Sequence, residues 1–493
     1  MNILVASAEL APFAKAGGLA DVVESLSIEW AKLGHNCVVV IPKYQFIDTD
    51  YWGFVPTDLI LYVPISHWTE FARLWVGCIP NTQIKVYLVE NQDYFARPGI
   101  YGNPNEYADN DRRFIFFSRA VMETAKAIDF TPDIIHSHDY HTAFTMAFLK
   151  SQYRSDPRFS RTAGVYTIHN LAYQGIFDPN RAMEFSTFGM KEFYPGSWFE
   201  HNGAVNAMKV GIMFADKITT VSPNYANEIR LPYFGEGLHD VLAHRGADLI
   251  GILNGVNYSE WAPENDANLF QRYGIDNLDE GKQINKIELL KLFGVPESDN
   301  YDLPLIGIVS RLTEQKGLDL ITYCLENHLQ NNWFRFIILG SGEKRYEDYF
   351  RYLQWKFPTK ALVQIGYSNT LAHRLIAGSD FILLPSRYEP CGLTQMYALR
   401  YGTVPIVRFT GGFVDTVEEY NPETKTGTGF TFYQYNADDL SYAIKRAFDI
   451  YRIEPHWTAI RKNGMRKDFS SERTALDYLK VFEWALEKIG RKI

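Results

Sequence analysis

The sequence predicts an α/β protein built from two doubly wound domains. Three observations carry that reading. Short apolar runs alternate with helical patterns along the chain, as repeated strand–helix units do. Those runs are apolar throughout, which fits strands buried on both faces of a parallel sheet. The pattern then restarts near Leu305, after a polar, proline-bounded stretch from Pro296 to Pro304. A length of 493 residues is also more than one domain usually holds.

Taken in order, the first strand is expected at residues 3–6. A helical face follows. Leu19, Val22, Val23, Leu26, Trp30 and Leu33 recur three and four residues apart, and Gly34 stops the helix. Further strands are expected at 37–41, 84–89, 133–136, 164–168 and 218–221. The second half offers 305–309, 334–339, 362–365, 381–384 and 404–407. An amphipathic helix over 471–489 closes the chain, with Leu476, Leu479, Phe482, Trp484 and Leu486 as its apolar members. The domains are expected at 1–250 and 251–470, followed by the helical segment 471–493.

Composition narrows the function. A formal net charge of −9 argues against nucleic acid or an anionic membrane as partner. A phosphate ligand would then need a local cluster of Lys and Arg. Hydrophobic residues at 46% with 22% charged read as globular. Cys37, Cys78, Cys324 and Cys391 make no CxxC pair, which points to a reducing compartment, the cytoplasm, and away from disulfides or structural zinc. The apolar start lacks a basic leader and meets Glu9, so it reads as a strand and not a signal peptide. No run of about 18 apolar residues suggests a membrane span.

The most specific segment is Leu384-Pro385-Ser386-Arg387-Tyr388-Glu389-Pro390-Cys391-Gly392-Leu393-Thr394, continuing to Gly411-Gly412. It joins a strand to a helix and sets one carboxylate, Glu389, in a tight loop. Such joins lie at the carboxyl edge of α/β sheets, where ligands bind. Lys15-Ala16-Gly17-Gly18-Leu19 is a second strand–helix turn, whose glycines let backbone N–H groups approach an anion. It matches neither a P-loop nor a dinucleotide fingerprint. Arg311 and Lys316, five residues apart after a strand, can clamp a diphosphate. Thr167-Ile168-His169-Asn170 ends another strand with groups that suit a polyol. Leu339-Gly340-Ser341-Gly342-Glu343 starts like a dinucleotide loop, but Arg345 takes the last glycine position, which argues against NAD. His136-Ser137-His138-Asp139-Tyr140-His141 invites a zinc-hydrolase reading using His136, His138 and His141. Asp139 stands one position too early for the HxHxDH pattern, and strand alternation is expected to turn these side chains to different faces.

Together these loops resemble the bacterial glycogen synthases and plant starch synthases of the ADP-glucose type. The likeness runs almost end to end, through residues 15–19, 136–143, 166–175, 219–223, 251–256, 310–317, 385–394, 397–402 and 411–416. The resemblance implies a GT-B glycosyltransferase fold, two Rossmann-like domains facing across a deep cleft, with the C-terminal helix rejoining the first domain. It implies retaining transfer of α-glucose from ADP-glucose to the non-reducing end of an α-1,4-glucan, releasing ADP, with no metal and no cofactor. Arg311 and Lys316 would hold the diphosphate, with Lys15 and the backbone of Gly17 and Gly18 nearby. Glu389, with Cys391 and Gly392, would grip glucose hydroxyls. His169 and Asp139 would orient the sugar beside an oxocarbenium-like transition state, and Asn254 would add a polar contact. Tyr367 would stack on the base, and Thr394 and Gly412 would lie near the phosphates.

Two positions depart from wider patterns. The family loop usually has Thr where this chain has Ala16, and activity is expected to survive that loss. Retaining GT-B enzymes often carry a second Glu eight residues after the first. Here Tyr397 stands there, as it does in glycogen synthases. The runner-up reading is another retaining GT-B transferase that uses UDP-glucose or a small acceptor.

Overall fold

The computed structural model describes residues 1–103, 105–331 and 333–491, so the last two positions of the segment 471–493 lie outside the described residues. The chain divides into two compact units, Met1–Gly255 with the segment from Ser471 onward, and Val256–Ser470.

Unit 1 contains strands β1 (Asn2–Ala6), β2 (Asn36–Pro42), β3 (Val55–Ile65), β4 (Trp68–Cys78), β5 (Lys85–Glu90), β6 (Ile134–His138) and β7 (Ala163–Ile168). β8 (Ile176–Phe177), β9 (Glu200–His201) and β10 (Ala204–Asn206) form a small separate sheet. β11 (Lys217–Thr220) and β12 (Leu249–Gly251) complete the main sheet, in the order β12-β11-β7-β6-β1-β2-β5-β4-β3. All its pairings are parallel except those of β4 with β3 and β5. From β1 the chain passes to β2, then to the edge strand β3 and back through β4 to β5, before β6 pairs on the other side of β1.

Unit 2 contains β13 (Leu305–Val309), β14 (Arg335–Gly340), β15 (Ala361–Ile365), β16 (Phe381–Leu384), β17 (Val404–Arg408) and β18 (Phe430–Phe432). Its sheet is parallel throughout, in the order β15-β14-β13-β16-β17-β18. Winding reverses between β13 and β16. Ile306, Ile308, Phe336, Ile338, Phe381 and Ile406 bury its core, which explains why these strands read as unbroken apolar runs. In each unit the strand order reverses, beside β1 and beside β13, and the carboxyl ends of the strands at such a reversal are the usual ligand position in these sheets.

Three features differ from the sequence reading. The β3–β4 hairpin was not anticipated. Its strands alternate buried and exposed residues, as in Val55–Ile65, and a search for continuous apolar runs passes over them. Leu33 caps the helix Gly18–Lys32 and is 39% exposed, while His35 N–H bonds to Trp30 O and Gly34 takes the left-handed turn. In the last helix, Ser471–Lys488, Leu476 and Trp484 face outward. Its buried stripe is Thr474, Ala475, Tyr478, Val481, Phe482, Ala485 and Leu486, and Trp30 docks there, donating from Nε1 to Ala475 O and packing on Phe482. Among the described residues no helix is long and apolar enough to cross a membrane.

Candidate active site

Unit 1 gathers its candidates at the carboxyl ends of β1, β6 and β7. Glu9, 3% exposed, organises the loop after β1. Its carboxylate accepts from the N–H groups of Ala16 (2.6 Å) and Gly17 (2.9 Å) and from the Tyr101 hydroxyl. The Gly17 amide is thus engaged by the protein's own carboxylate, and Gly18 becomes the first helical residue. Lys15 Nζ donates to Asp21 Oδ1 at 2.6 Å. Burial holds the Asp21 carboxyl above its ordinary range, against the pull of Lys15. A cavity of about 500 Å³ opens beside this loop, with Lys15, Ala16, Phe46, Tyr101 and Glu106 in its walls.

Asp139 leaves β6 with a φ of 53°, a conformation that costs a non-glycine residue about 1–3 kcal/mol. Its N–H bonds to Thr167 O, and its Oδ1 accepts from His169 N at 2.8 Å. Thirty residues apart in sequence, the two are locked together. Burial pushes the Asp139 carboxyl up to about 7, while the amides of His169 and Asn170 pull it down. His169 Nε2 lies 2.9 Å from His138 Nδ1. Burial lowers His169 to about 3 and His138 well below the ordinary range, so both rings are neutral near pH 7. Asn254, beyond β12, is buried, and its Oδ1 has no hydrogen-bond partner among the described residues.

The raised Asp139 carboxyl has a consequence for stability. An unfolded Asp releases its proton near pH 3.9, whereas the folded one holds it to about 7. Folding stability from this group is full below pH 3.9 and drains away as pH rises to 7. Asp139→Asn keeps an acceptor and carries no charge. Its urea midpoint relative to the parent is expected to rise between pH 5 and pH 8. An unchanged or falling difference would contradict the raised value.

The three histidines of the zinc reading do different work. His136 and His138, two residues apart, share a face of β6, with ring centroids 4.1 Å apart, against the expectation that they diverge. His136 Nε2 lies 2.6 Å from Thr167 Oγ1, which in turn meets Thr219 Oγ1, so this ring ties three strands together. The His141 ring stacks on Tyr101 and against Phe114. Among the described residues, no group of three or more His, Cys, Asp or Glu is placed to hold a metal ion.

Unit 2 joins the loops after β13 and β16. Arg387 N–H bonds to Gln315 O at 2.8 Å, and Gln315 Nε2 reaches Tyr388 O. Gly317 makes this approach possible. Its φ is 70°, and a Cβ there would lie 2.0 Å from Pro385 O. Lys316 Nζ therefore reaches Glu389 Oε2 at 2.7 Å. Glu389 is 7% exposed, and its Oε2 also accepts from Ser386 Oγ at 3.0 Å. Gly412 N–H bonds to Glu389 O, which draws the glycine pair onto the loop. Gln395 Nε2 donates to the carbonyls of Cys391 and Gly392 and to Thr416 Oγ1, fixing the turn ahead of the helix Thr394–Arg400. Arg311 is exposed at the same sheet edge, and its guanidinium has no partner among the described residues. Tyr367, 74% exposed, follows β15, two strands from β13 and so roughly 10 Å away at the usual strand spacing. The loop after β14 is spent internally, since Leu312 N–H bonds to Ser341 O.

Each set of candidates thus lies at the reversal point of its own sheet, except Asn254 and Tyr367, which follow the edge strands β12 and β15. Sequence reading passed over Glu9, Ser386 and Gln395. Glu9 and Gln395 each hold several groups of a neighbouring segment and Ser386 holds the Glu389 carboxylate, and neither spacing nor composition marks them. Tyr397 stacks on Trp261 at 3.9 Å with planes 4° apart, so its ring serves the packing of the helix that carries Thr394.

Two family models match the chain: the starch synthase catalytic domain over residues 2–244 and the group 1 glycosyl transferases over 296–465. The glycogen synthase of Bacillus subtilis (strain 168) is 41% identical over 493 residues, covering 100% of both chains. That of Clostridium novyi (strain NT) is 42% identical over 489 residues, 99% of this chain and 100% of its own. Among solved structures, the catalytic domain of starch synthase IV from Arabidopsis thaliana, bound to ADP and acarbose, superposes with a TM-score of 0.90 at 32% identity, covering 99% of each chain.

Proposed function

The chain belongs to the glycogen and starch synthase family of GT-B glycosyltransferases, and on that premise we propose how its residues share the reaction. It is a glycosyltransferase with glycogen synthase function, taking a nucleotide sugar as donor and a glucan as acceptor. The finer reading is retaining transfer of α-glucose from ADP-glucose to the non-reducing end of an α-1,4-glucan, in the cytoplasm.

The observation that carries the reading is the Lys316–Glu389 pair, closed at 2.7 Å where the unit 2 sheet reverses. A cation and a carboxylate held side by side suit a donor with an anionic diphosphate next to a neutral sugar. Lys316 and Arg311 take the diphosphate, and positive charge there offsets the charge of the departing ADP. Glu389, released from Lys316, accepts from glucose hydroxyls, with the backbone of Cys391 and Gly392 beside it. Thr394 and Gly412 line the phosphates, and Tyr367 offers an exposed face to the base. From unit 1, Asp139 and His169 orient the sugar, Lys15 and the helix start at Gly18 add positive potential, and Asn254 offers its buried Oδ1. The cavity beside Lys15 suits the acceptor, with the Phe46 ring as a face for a sugar.

Both adenine and uracil stack on a tyrosine, so the donor base is settled by assay. Label is expected to pass from ADP-glucose into glycogen much faster than from UDP-glucose, with or without chelator. Tyr367→Ala is expected to raise the donor KM about tenfold while changing kcat little, the pattern of lost uniform binding worth about 1.4 kcal/mol. Faster transfer from UDP-glucose, or an unchanged KM, would overturn these assignments.

A further inference from the structure

We infer that His138 is a positioning residue that fixes the tautomer of His169, so that His169 presents an Nδ1–H donor to the substrate. The inference rests on the proposed contact between His169 and the donor sugar. His138 is wholly buried at the end of β6, and its Nδ1 lies 2.9 Å from His169 Nε2. Its other nitrogen, Nε2, is buried with no hydrogen-bond partner among the described residues. Both rings are neutral, so each carries one proton on one nitrogen.

Two arrangements satisfy the 2.9 Å contact. In the first, His169 donates from Nε2 and His138 accepts at Nδ1. His138 must then carry its proton on Nε2, a buried N–H with no acceptor. In the second, His138 donates from Nδ1, and its Nε2 is a bare lone pair. Orphaned buried N–H groups are rarer in proteins than under-satisfied acceptors, and an unmet buried donor bears its full desolvation cost. The second arrangement is therefore favoured. It leaves His169 Nε2 as an acceptor and places the His169 proton on Nδ1.

The surroundings hold this arrangement in place. The backbone N–H of His138 donates to Thr142 Oγ1 at 2.7 Å, and that hydroxyl donates back to His138 O. The His136 ring packs 4.1 Å away and obeys the same rule. Its Nε2 meets Thr167 Oγ1, and its buried Nδ1 has no partner among the described residues. On the far side, Asp139 Oδ1 holds the His169 backbone N–H, so main chain and ring of His169 are fixed by the adjacent residues Asp139 and His138. His169 is the partly exposed member of the group, so its Nδ1–H is the polar end of a buried chain.

The test uses the whole enzyme and two readouts. Nitrogen-15 histidine spectra of the parent are expected to show His169 protonated at Nδ1, and His138→Leu is expected to shift His169 toward the Nε2–H form. In the same variant kcat is expected to fall on the order of a hundredfold, the scale of losing one aimed donor, with KM moving far less. His138→Asn, whose amide nitrogen can stand in for Nδ1, is expected to recover much of the loss, which a purely packing role would not allow. An Nε2–H form of His169 in the parent, or His138→Leu with unchanged tautomer and kcat, would overturn the inference. His169→Ala separates the two levels. If it is inactive while His138→Leu is normal, only the tautomer inference fails. If His169→Ala itself turns over normally, the sugar contact fails first.

Discussion

Glu389→Ala and Lys316→Ala are each expected to lower kcat by on the order of a hundredfold, about 3 kcal/mol of transition-state stabilisation. The two effects come from one structure. Lys316 Nζ and Glu389 Oε2 are 2.7 Å apart, with only 18% and 9% of their side chains exposed. Removing either leaves the other charge poorly compensated as well as absent from its own task. The two losses should therefore not add: the double variant is expected to be clearly faster than the product of the single effects predicts, as for residues in direct contact. Glu389→Gln separates shape from charge. It keeps the acceptor oxygen that meets Ser386 Oγ but offers Lys316 no counter-charge. Single-turnover rates with saturating donor are the measurement, with circular dichroism to confirm folding. Near-parental rates in both alanine variants would sink the assignment of this pair to catalysis.

Much of this site was legible because each motif loop ends a strand. Apolar runs located β1, β6, β7, β13 and β16 to within about two residues, and the polar residues after them became candidates. What could not be read was which strands stand side by side. Sheet order is set by crossover winding, not by any one segment, and it is the order β15-β14-β13-β16-β17-β18 that brings Lys316 to Glu389. The same limit hid the contacts between distant segments. Glu9 looked like the end of a strand, yet it binds the Ala16 and Gly17 amides. His138 looked like a metal ligand, yet its ring is bound to His169, thirty-one residues on. Periodicity had its own limits. The apolar pattern predicts the last helix, but of the apolar members it names only Phe482 and Leu486 lie fully inside. Small residues such as Ala475 and Ala485 face inward there because Trp30 and the sheet approach closely, while Leu476 and Trp484 stay outside.

Gly411→Ala is expected to lower kcat about as far as removing Glu389 itself, with the fold retained. Gly411 has a φ of 50°, and a Cβ there would lie 1.7 Å from Glu389 O. No rotamer relieves that overlap, because both atoms belong to main chain. Either the 411–412 turn must withdraw or the Glu389 loop must shift. Withdrawal breaks the Gly412 N–H bond to Glu389 O. A shift moves the carboxylate from Lys316 and Ser386. A displacement of about 1 Å in a positioning element can cost on the order of a hundredfold in rate. The left-handed φ alone adds strain, and Gly34→Ala measures that part by itself. Gly34 has a φ of 86° with nothing within 4 Å of its would-be Cβ, and it lies at the end of a helix far in sequence from these loops. Its substitution is expected to cost roughly 1 kcal/mol in stability and leave kcat unchanged. Gly411→Ala should show the converse, a modest fall in melting temperature with a large fall in kcat. Parental kcat in a folded Gly411→Ala variant would mean that the backbone of Glu389 need not be held where the glycine pair holds it, and that the carboxylate finds its sugar contacts without this support.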